Sequence, residues 1–208
     1  STEAQRRLSG WDGSMDLDAV EPTIYSAFRL HLNRRLVQHT LGPVADEALA
    51  ATGRGAPLHL RLLEASFVQA AEKGDTSVLP ADTDWDSLLA RALAEGVAYL
   101  KDRLGDDIDH WTWGKVHSTR PRHLLSEQFP ETAPLLDPPS VPLGGDGDTP
   151  LAASYLPSAP FSINTTSISR YVFDTSDWDN STWILPLGAS GHPGSPHYAD
   201  QTPIWGEM

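Results

Sequence analysis

The sequence DAVEPTIYSAFRLHLNRRLVQHTL, residues 18–41, decides the fold class of the first half of the chain. Apolar side chains recur every four residues, at Ile24, Phe28, Leu32 and Leu36, while arginines occupy other faces. This spacing predicts an amphipathic helix. Asp18 and Glu21 have capping-box spacing and Pro22 suits a first turn, so the helix should begin there. Gly42-Pro43 predicts its end or a kink.

Two further helices are predicted before residue 107. One runs from His59 to Lys73 and ends at Gly74-Asp75, and the other runs from Trp85 to Leu104. Asp84 precedes the second helix as a helix-capping residue, and Gly105 follows it as a stop signal. The first half therefore contains three helices of ordinary length.

The period changes after Asp109. Residues 111–117 alternate large and small side chains, which predicts a strand with one packed face. Residues 170–174 and 182–185 are the other strand candidates, and the polar turn between them predicts a hairpin. Residues 129–160 contain many prolines and the run GGDGD, so we predict one long loop without regular structure there.

The fold class predicted from these patterns is α+β, with a helical first half and antiparallel strands in the second half. Residues 1–107 form the mainly helical segment, and residues 108–208 form the strand-rich and loop-rich segment. The charge distribution supports a boundary, because residues 126–208 contain a single base, Arg170, against ten acids.

Composition excludes several classes of protein. The chain has 208 residues, 39% of them hydrophobic, with seven Trp, five Tyr and five Phe, which is too apolar for a disordered chain. The net charge of −13 argues against nucleic acid and against an anionic membrane surface as partners. There is no cysteine, which excludes disulfides and thiolate chemistry, and no apolar run long enough for a membrane span.

Four segments come close to known site motifs without meeting the requirements of each motif. Asp82, Asp84 and Asp86 have the spacing of a calcium loop, but Ser87 and Leu93 stand where glycine and glutamate are needed. Residues 144–149, GGDGDT, resemble a calcium-binding repeat without a second copy, so a tight turn is favoured. Residues 188–192, GASGH, miss the last glycine of a nucleophile elbow. His192 and His197 flank a turn, where hydrogen bonding to the backbone is favoured over metal ligation.

Two further features have alternative interpretations. Ser1 could act as an N-terminal nucleophile whose own α-amine takes the proton, but no residue after it would place the hydroxyl in a cleft. We favour an ordinary chain terminus. Trp111 and Trp113 would share one face of a strand and could form a ligand platform, although core packing is the commoner role of such aromatics.

Several segments together resemble one protein family. These are LSGWDG at 8–13, TIYSAF at 23–28, WGKVH at 113–117, GGDGDT at 144–149, and GASGHPGSPHYADQ at 188–201 followed by Trp205. In this order they resemble the penicillin acylase (penicillin amidase) family, and they span nearly the whole chain.

The resemblance implies an N-terminal-nucleophile hydrolase with a four-layer αββα sandwich, whose precursor cleaves itself into an α chain and a longer β chain. The first residue of the family's β chain is the catalytic serine, in a Ser-Asn-x-Trp context that Ser1 lacks. This chain resembles only the later part of that β chain. No catalytic, cofactor-binding or metal-ligating residue is therefore assigned here, and the family's calcium ligands are expected upstream.

The partners that the resemblance implies are the α chain, the earlier part of the β chain and a small-molecule amide substrate. The family is commonly exported to the periplasm or secreted. We also expect the isolated chain to dimerise or to bind its missing half, because half of a sandwich leaves sheet edges and apolar faces uncovered. We hypothesise that the backbone of residues 144–149 passes close to the active-site region or the α chain, because glycines permit close approach.

Two alternatives from other classes stay open at this point. The chain could be a self-sufficient amidase that uses Ser1. It could instead be a non-catalytic binding module in which Trp111, Trp113 and the acidic C-terminal segment contact a partner or a cationic ligand.

Overall fold

The structure is a computed structural model that describes residues 2–50 and 56–207. The helices are α1 (Glu3–Gly10), α2 (Glu21–Leu41), α3 (Ala45–Ala50), α4 (Ala56–Glu72), α5 (Trp85–Leu104), α6 (Trp113–Val116), α7 (Leu124–Gln128), α8 (Ala133–Leu136) and α9 (Thr202–Glu207). The strands are β1 (Ser118–Thr119), β2 (Ala153–Leu156), β3 (Ala159–Thr166), β4 (Arg170–Val172) and β5 (Thr182–Ile184). The fold is α+β, with a helical first half and short strands in the second.

The chain divides into two compact units. The first comprises residues 1–113 and 156–161, and the second comprises residues 114–155 and 162–208. The division at residue 107 that we drew from composition stays a prediction.

The first unit is organised around the two long helices, α2 and α5. They approach closely at Gly96, where an added Cβ would lie 2.9 Å from the backbone carbon of Ala27. Beside this contact, Arg35 of α2 forms an ion pair with Glu95 of α5. A buried apolar cluster lies further along the helices, and its members are Leu36, Val37, Ala45, Phe67, Leu79 and Leu88.

The three predicted helices are confirmed, with differences at their ends. Helix α5 has the predicted bounds, and the Asp84 carboxylate accepts a hydrogen bond from the Ser87 amide at 2.7 Å. Helix α2 ends at Gly42, whose φ of 53° lies in the left-handed region. Its predicted capping box was wrong, because α2 begins at Glu21 after Val20 without a side-chain cap. Helix α4 starts three residues before the predicted His59.

The predicted strand at residues 111–117 is wrong. A turn of 3-10 helix covers Ile108–His110, and α6 makes one helical turn from Trp113. The indole N–H of Trp111 donates to the Gly105 carbonyl at 2.9 Å, and the Trp113 amide donates to the Ala19 carbonyl at 2.9 Å. Both tryptophans are fully buried, so the large residues pack as expected but from consecutive turns rather than from one strand.

The prediction that residues 129–160 lack regular structure is also wrong. A 3-10 turn at Pro130–Thr132 leads into α8, and strand β2 begins at Ala153. Prolines occur in the first turns of these short helical segments, where their missing N–H is not needed. A high density of prolines therefore occurs at the starts of short helices as well as in loops, and it does not by itself predict a loop.

The strands form two small sheets. One has the order β1-β3-β2, and β1 pairs with β3 in parallel, with Ser118 opposite Ser162. The second half is therefore not purely antiparallel as predicted. The other sheet is the predicted hairpin, in which β4 and β5 are antiparallel and Tyr171 lies opposite Trp183.

The second unit has its own apolar core. Its members come from both sheets, from α9 and from the segment before residue 144, and they are Leu143, Ala153, Ile163, Ile184 and Trp205. Arg170 adds a polar contact to this core, since its guanidinium lies 4.5 Å from the ring centre of Trp205 and donates to the Trp205 carbonyl at 2.8 Å.

Candidate functional site

The glycine-rich segment lies in a loop whose two ends are joined by one buried histidine. The His117 imidazole places Nδ1 2.7 Å from the carbonyl oxygen of Leu143 and Nε2 3.0 Å from that of Ala153. Leu143 and Ala153 are the residues on either side of the loop at 144–152. We call this arrangement the His117 clamp.

The electrostatics of the clamp follow from its burial. His117 is fully buried, and burial lowers the pKa of its imidazole, because a charged ring would be removed from water. The two carbonyl oxygens and the Asp146 carboxylate favour the charged ring and oppose this shift without cancelling it. Asp146 is itself buried.

The loop inside the clamp is held by Asp146 and Thr149. The Thr149 hydroxyl accepts from the Asp146 amide at 2.8 Å and lies 2.7 Å from the Leu151 carbonyl, to which it can donate. The Asp146 carbonyl accepts from the Ala153 amide at 3.0 Å, and its carboxylate accepts from the Gly147 amide at 2.6 Å. The segment is therefore a tight, internally bonded turn, as the glycine pattern predicts.

Gly145 explains why this turn needs glycine. Its φ is +76°, and a Cβ at this position would lie 2.1 Å from the Leu151 carbonyl oxygen. Any other residue would be strained in backbone and would overlap that carbonyl. The sequence identified the loop, but no local signal indicated that His117, 27 residues before Gly144, joins its ends.

The near-motif around Ser190 is a bonded loop and not a nucleophile elbow. The Ser190 amide donates to the His197 carbonyl at 2.9 Å, and the Ser190 hydroxyl accepts from the His192 amide at 3.2 Å. A Cβ on Gly188 would lie 2.2 Å from the His197 carbonyl oxygen, so close backbone approach accounts for this glycine.

The two loop histidines bond to neighbouring loop groups. His192 Nδ1 accepts from the Gly194 amide at 3.0 Å, and the exposed His197 places Nδ1 2.9 Å from an Asp200 carboxylate oxygen. Asp84 caps α5, and Asp82 and Asp86 are exposed. Across residues 2–50 and 56–207 no three histidine, aspartate or glutamate side chains are grouped in a way that could hold a metal ion.

The remaining candidate residues are Trp111, Trp113 and Ser1. Trp111 and Trp113 are completely buried, and the ring of Trp113 meets that of Phe161 with 5.8 Å between centres. They pack as core residues and present no ligand platform. Ser1 lies outside the described residues, so its proposed role as a nucleophile has no structural account.

The first unit also carries an apolar groove that the sequence did not indicate. It has a volume of about 460 Å³ and lies between the start of α1, one face of α5 and Trp111. Leu93, Ala94 and Val97 form most of its α5 side. Lys101 and Asp106 form an ion pair at its rim, with 3.2 Å between nitrogen and oxygen. The lining of the groove is mainly apolar, so it suits packing against another apolar surface better than it suits a polar reaction centre.

No helix in the described part of the chain combines the length and apolarity that crossing a membrane requires.

Comparison with known proteins gives a consistent result. The sequence profile described as penicillin amidase matches residues 1–208. The chain is 38% identical over 206 residues to the penicillin acylase 2 proenzyme of Pseudomonas sp. (strain SE83), which covers 99% of this chain and 25% of that protein. It is 29% identical over 217 residues to the acyl-homoserine lactone acylase QuiP of Pseudomonas aeruginosa, covering 98% of this chain and 26% of that protein. The chain spans about a quarter of the length of the curated relatives that it matches.

Proposed function

Because the chain belongs to the penicillin amidase family, we propose that it is the C-terminal portion of a penicillin acylase-like amidohydrolase and contributes scaffold to that enzyme. One observation carries the proposal. The family match extends over all 208 residues, yet these correspond to only a quarter of the relatives' length.

The site geometry supports a scaffolding role. In the described chain, the His117 ring lies against the carbonyls of Leu143 and Ala153, and the Ser190 hydroxyl accepts from the His192 amide. A general base needs a ring nitrogen or a carboxylate within reach of a substrate proton. These groups instead hold loops in one conformation, which supports the proposal that the reacting groups belong to the rest of the enzyme.

The proposed reaction of the whole enzyme is hydrolysis of a linear amide through an acyl-enzyme. A serine hydroxyl attacks the amide carbonyl, the amine leaves with a proton, and water then releases the acid and restores the hydroxyl. The proposed substrates are penicillins, related β-lactams or other N-acyl compounds, in line with the names of the relatives.

The proposed assembly follows from the same premise. The helices and short strands of this chain would complete an αββα sandwich with the α chain and the earlier part of the β chain. We propose that the family's calcium ligands lie in the earlier part of the enzyme. We propose export to the periplasm or the medium on the family's example.

The test compares the 208-residue chain with the protein encoded by the uninterrupted reading frame that contains it. Both are expressed and assayed on a phenylacetyl amide and on a long-chain acyl amide. We expect the longer protein to cleave itself and hydrolyse one of these amides, and the 208-residue chain to do neither. Hydrolysis by the 208-residue chain that Ser1→Ala abolishes would overturn the proposal in favour of a self-sufficient amidase.

A binding module is the second alternative, and the burial of Trp111 and Trp113 removes the aromatic part of the surface on which it depended, leaving the acidic C-terminal segment. Four aromatic side chains that are exposed lie on the hairpin of the second unit.

A further inference from the structure

We propose that the β4–β5 hairpin is a docking surface for a segment of the same acylase polypeptide outside residues 1–208, and that this segment is apolar and carries a basic side chain. The proposal rests on the proposed function, since it requires the chain to be part of a longer enzyme. It names the surface that would bind the remainder of that enzyme.

The hairpin exposes four aromatic side chains next to one another. The exposed fractions are 51% for Tyr171, 66% for Phe173, 67% for Trp178 and 61% for Trp183. We call these four side chains the aromatic face. Folded monomers rarely expose contiguous apolar surface of this kind unless something binds it.

Three of the four rings stack, and the fourth, Trp178, is tilted by 59° against Phe173 at the end of the row. Tyr171 lies between Phe173 and Trp183, with ring centres 5.6 Å and 5.7 Å away and interplanar angles of 6° and 24°. Trp178 continues the row from Phe173 at 6.4 Å. The strand register produces this order, because Tyr171 is directly opposite Trp183 and Phe173 follows two residues later on the same side. The surface is therefore preorganised before any partner binds.

The charge around the aromatic face specifies the chemistry of its partner. The turn of the hairpin carries Asp174, Asp177 and Asp179, which bond mainly within the turn. The single base after residue 125 is Arg170, and its guanidinium stacks on Trp205 in the core. A basic side chain on the partner would lie near the turn carboxylates and near the aromatic ring faces. Carboxylates and ring faces both attract cations.

The length of the relatives identifies where this partner comes from. This chain corresponds to 25% of the penicillin acylase 2 proenzyme, so about three quarters of such an enzyme lies outside it. A segment of the same polypeptide is always present at an equal amount and close by. Aromatic residues in the centre of an interface are the ones that contribute most to binding.

The experiment is oxidative footprinting of Trp178 and Trp183, read by mass spectrometry, in two proteins. One is the 208-residue chain at a concentration where light scattering shows a monomer, and the other is the protein from the uninterrupted reading frame. We expect the oxidation rate of both tryptophans to fall severalfold in the longer protein. Equal rates in the two proteins would mean that the aromatic face is uncovered, and this would overturn the proposal. Protection that appears only when the longer protein dimerises would assign the face to a second copy and also overturn it.

Variants separate docking from folding. Trp183→Ser should reduce the yield of assembled longer protein severalfold while leaving the unfolding midpoint of the 208-residue chain nearly unchanged. Leu135→Ser is the matched control, because Leu135 is 82% exposed and lies outside the hairpin. A Trp183→Ser protein that assembles as well as the control would count against docking at this surface.

Amide hydrolysis by the longer protein is measured in parallel and reports on the proposed function alone. If the longer protein hydrolyses amides but its aromatic face is still oxidised at the full rate, the proposed function is supported and the docking proposal is wrong. If the aromatic face is protected in the longer protein but no amide is hydrolysed, the docking proposal is supported and the proposed function is wrong.

Discussion

At the scale of single residues, His117 links the fold of the glycine-rich loop to the stability of the chain. Its two ring nitrogens lie within hydrogen-bonding distance of two carbonyls ten residues apart, at the ends of the loop at 144–152, and the neutral ring donates its one N–H to one of them. A buried carbonyl that loses its donor costs about 1–3 kcal/mol, so the clamp is significant against a total stability of about 5–15 kcal/mol.

The clamp predicts a pH dependence of stability. The pKa of folded His117 is lowered, so the unfolded chain binds a proton first as the pH falls. The stabilisation is therefore complete above the unfolded pKa of about 6.5 and is lost as the pH falls through the lower folded value. We expect the free energy of unfolding to decrease from pH 7.5 to pH 5, by up to about 1.4 kcal/mol per pH unit from this residue. Urea unfolding at a series of pH values measures it.

His117→Gln provides the control for that measurement. Its side chain cannot titrate and does not reproduce the shape of the imidazole between the two clamp carbonyls, so the variant should be less stable at pH 7.5 and show a shallower decline toward pH 5. The pKa of His31 is also lowered by burial, so some slope should remain in the variant. Parallel curves for the two proteins would show that His117 does not carry the dependence.

The position of Gly145 predicts that a substitution there lowers the stability of the fold. Gly145→Ala places a Cβ against the Leu151 carbonyl and keeps a φ of +76°, so we expect a destabilisation of at least about 1–3 kcal/mol. Gly191→Ala is the control, because its Cβ would meet nothing within 4 Å. Thermal unfolding distinguishes them. Normal turnover of the longer enzyme with Gly145→Ala would remove the hypothesis that this loop lies near the active-site region.

At the scale of elements, the contact between α2 and α5 organises the first unit. Gly96 lets the helix backbones approach, since an added Cβ would lie 2.9 Å from the Ala27 carbon and from the Phe28 nitrogen. Backbone atoms of a neighbouring helix cannot move aside as the end of a flexible side chain can.

Gly96→Ala therefore tests which of two effects is larger. Helix propensity alone would make alanine more stable than glycine by about 1 kcal/mol. Overpacking against backbone costs about 1–3 kcal/mol, so we expect a net destabilisation or at best no gain. Ala98→Val, on an exposed position of the same helix, adds volume without this contact and should change stability little. Stabilisation by Gly96→Ala in chemical unfolding would show that the helices can separate at low cost.

At the scale of the whole molecule, the chain combines a large negative charge with uncovered apolar surfaces. The net charge is −13, and the described surface includes the aromatic face and the apolar groove beside α5. Charge repulsion between copies of the isolated chain opposes association, while these apolar surfaces favour it.

Salt should therefore promote association of the isolated chain. Raising the salt concentration from about 10 mM to about 1 M shortens the Debye length from about 30 Å to about 3 Å and weakens the repulsion without changing protonation. We expect the average mass measured by light scattering to rise with salt. Trp183→Ser should reduce this rise if the aromatic face contributes. A mass that falls as salt increases would indicate association through ion pairs instead.

Local patterns were sufficient for the elements that local interactions decide. The repeat in α2, the caps of α5 and the polar turn of the hairpin each lie within a few residues, and these elements were predicted from sequence. The strand at residues 111–117 was predicted wrongly, because large side chains in two consecutive turns mimic the alternation of a strand. The short helices α1 and α3 were not anticipated, although the capping box of α1 between Thr2 and Gln5 could have indicated one.

The sequence by itself determined the α+β class, the acidic and aromatic character of the second half, the glycine loop and the penicillin amidase family. Only the tertiary structure decided that His117 closes that loop and that Trp111 and Trp113 are buried while Trp178 and Trp183 are exposed. The physical reason is the range of the interactions. Periodicity and caps act between neighbours along the chain, whereas burial and hydrogen bonds to distant carbonyls depend on partners that only folding brings together.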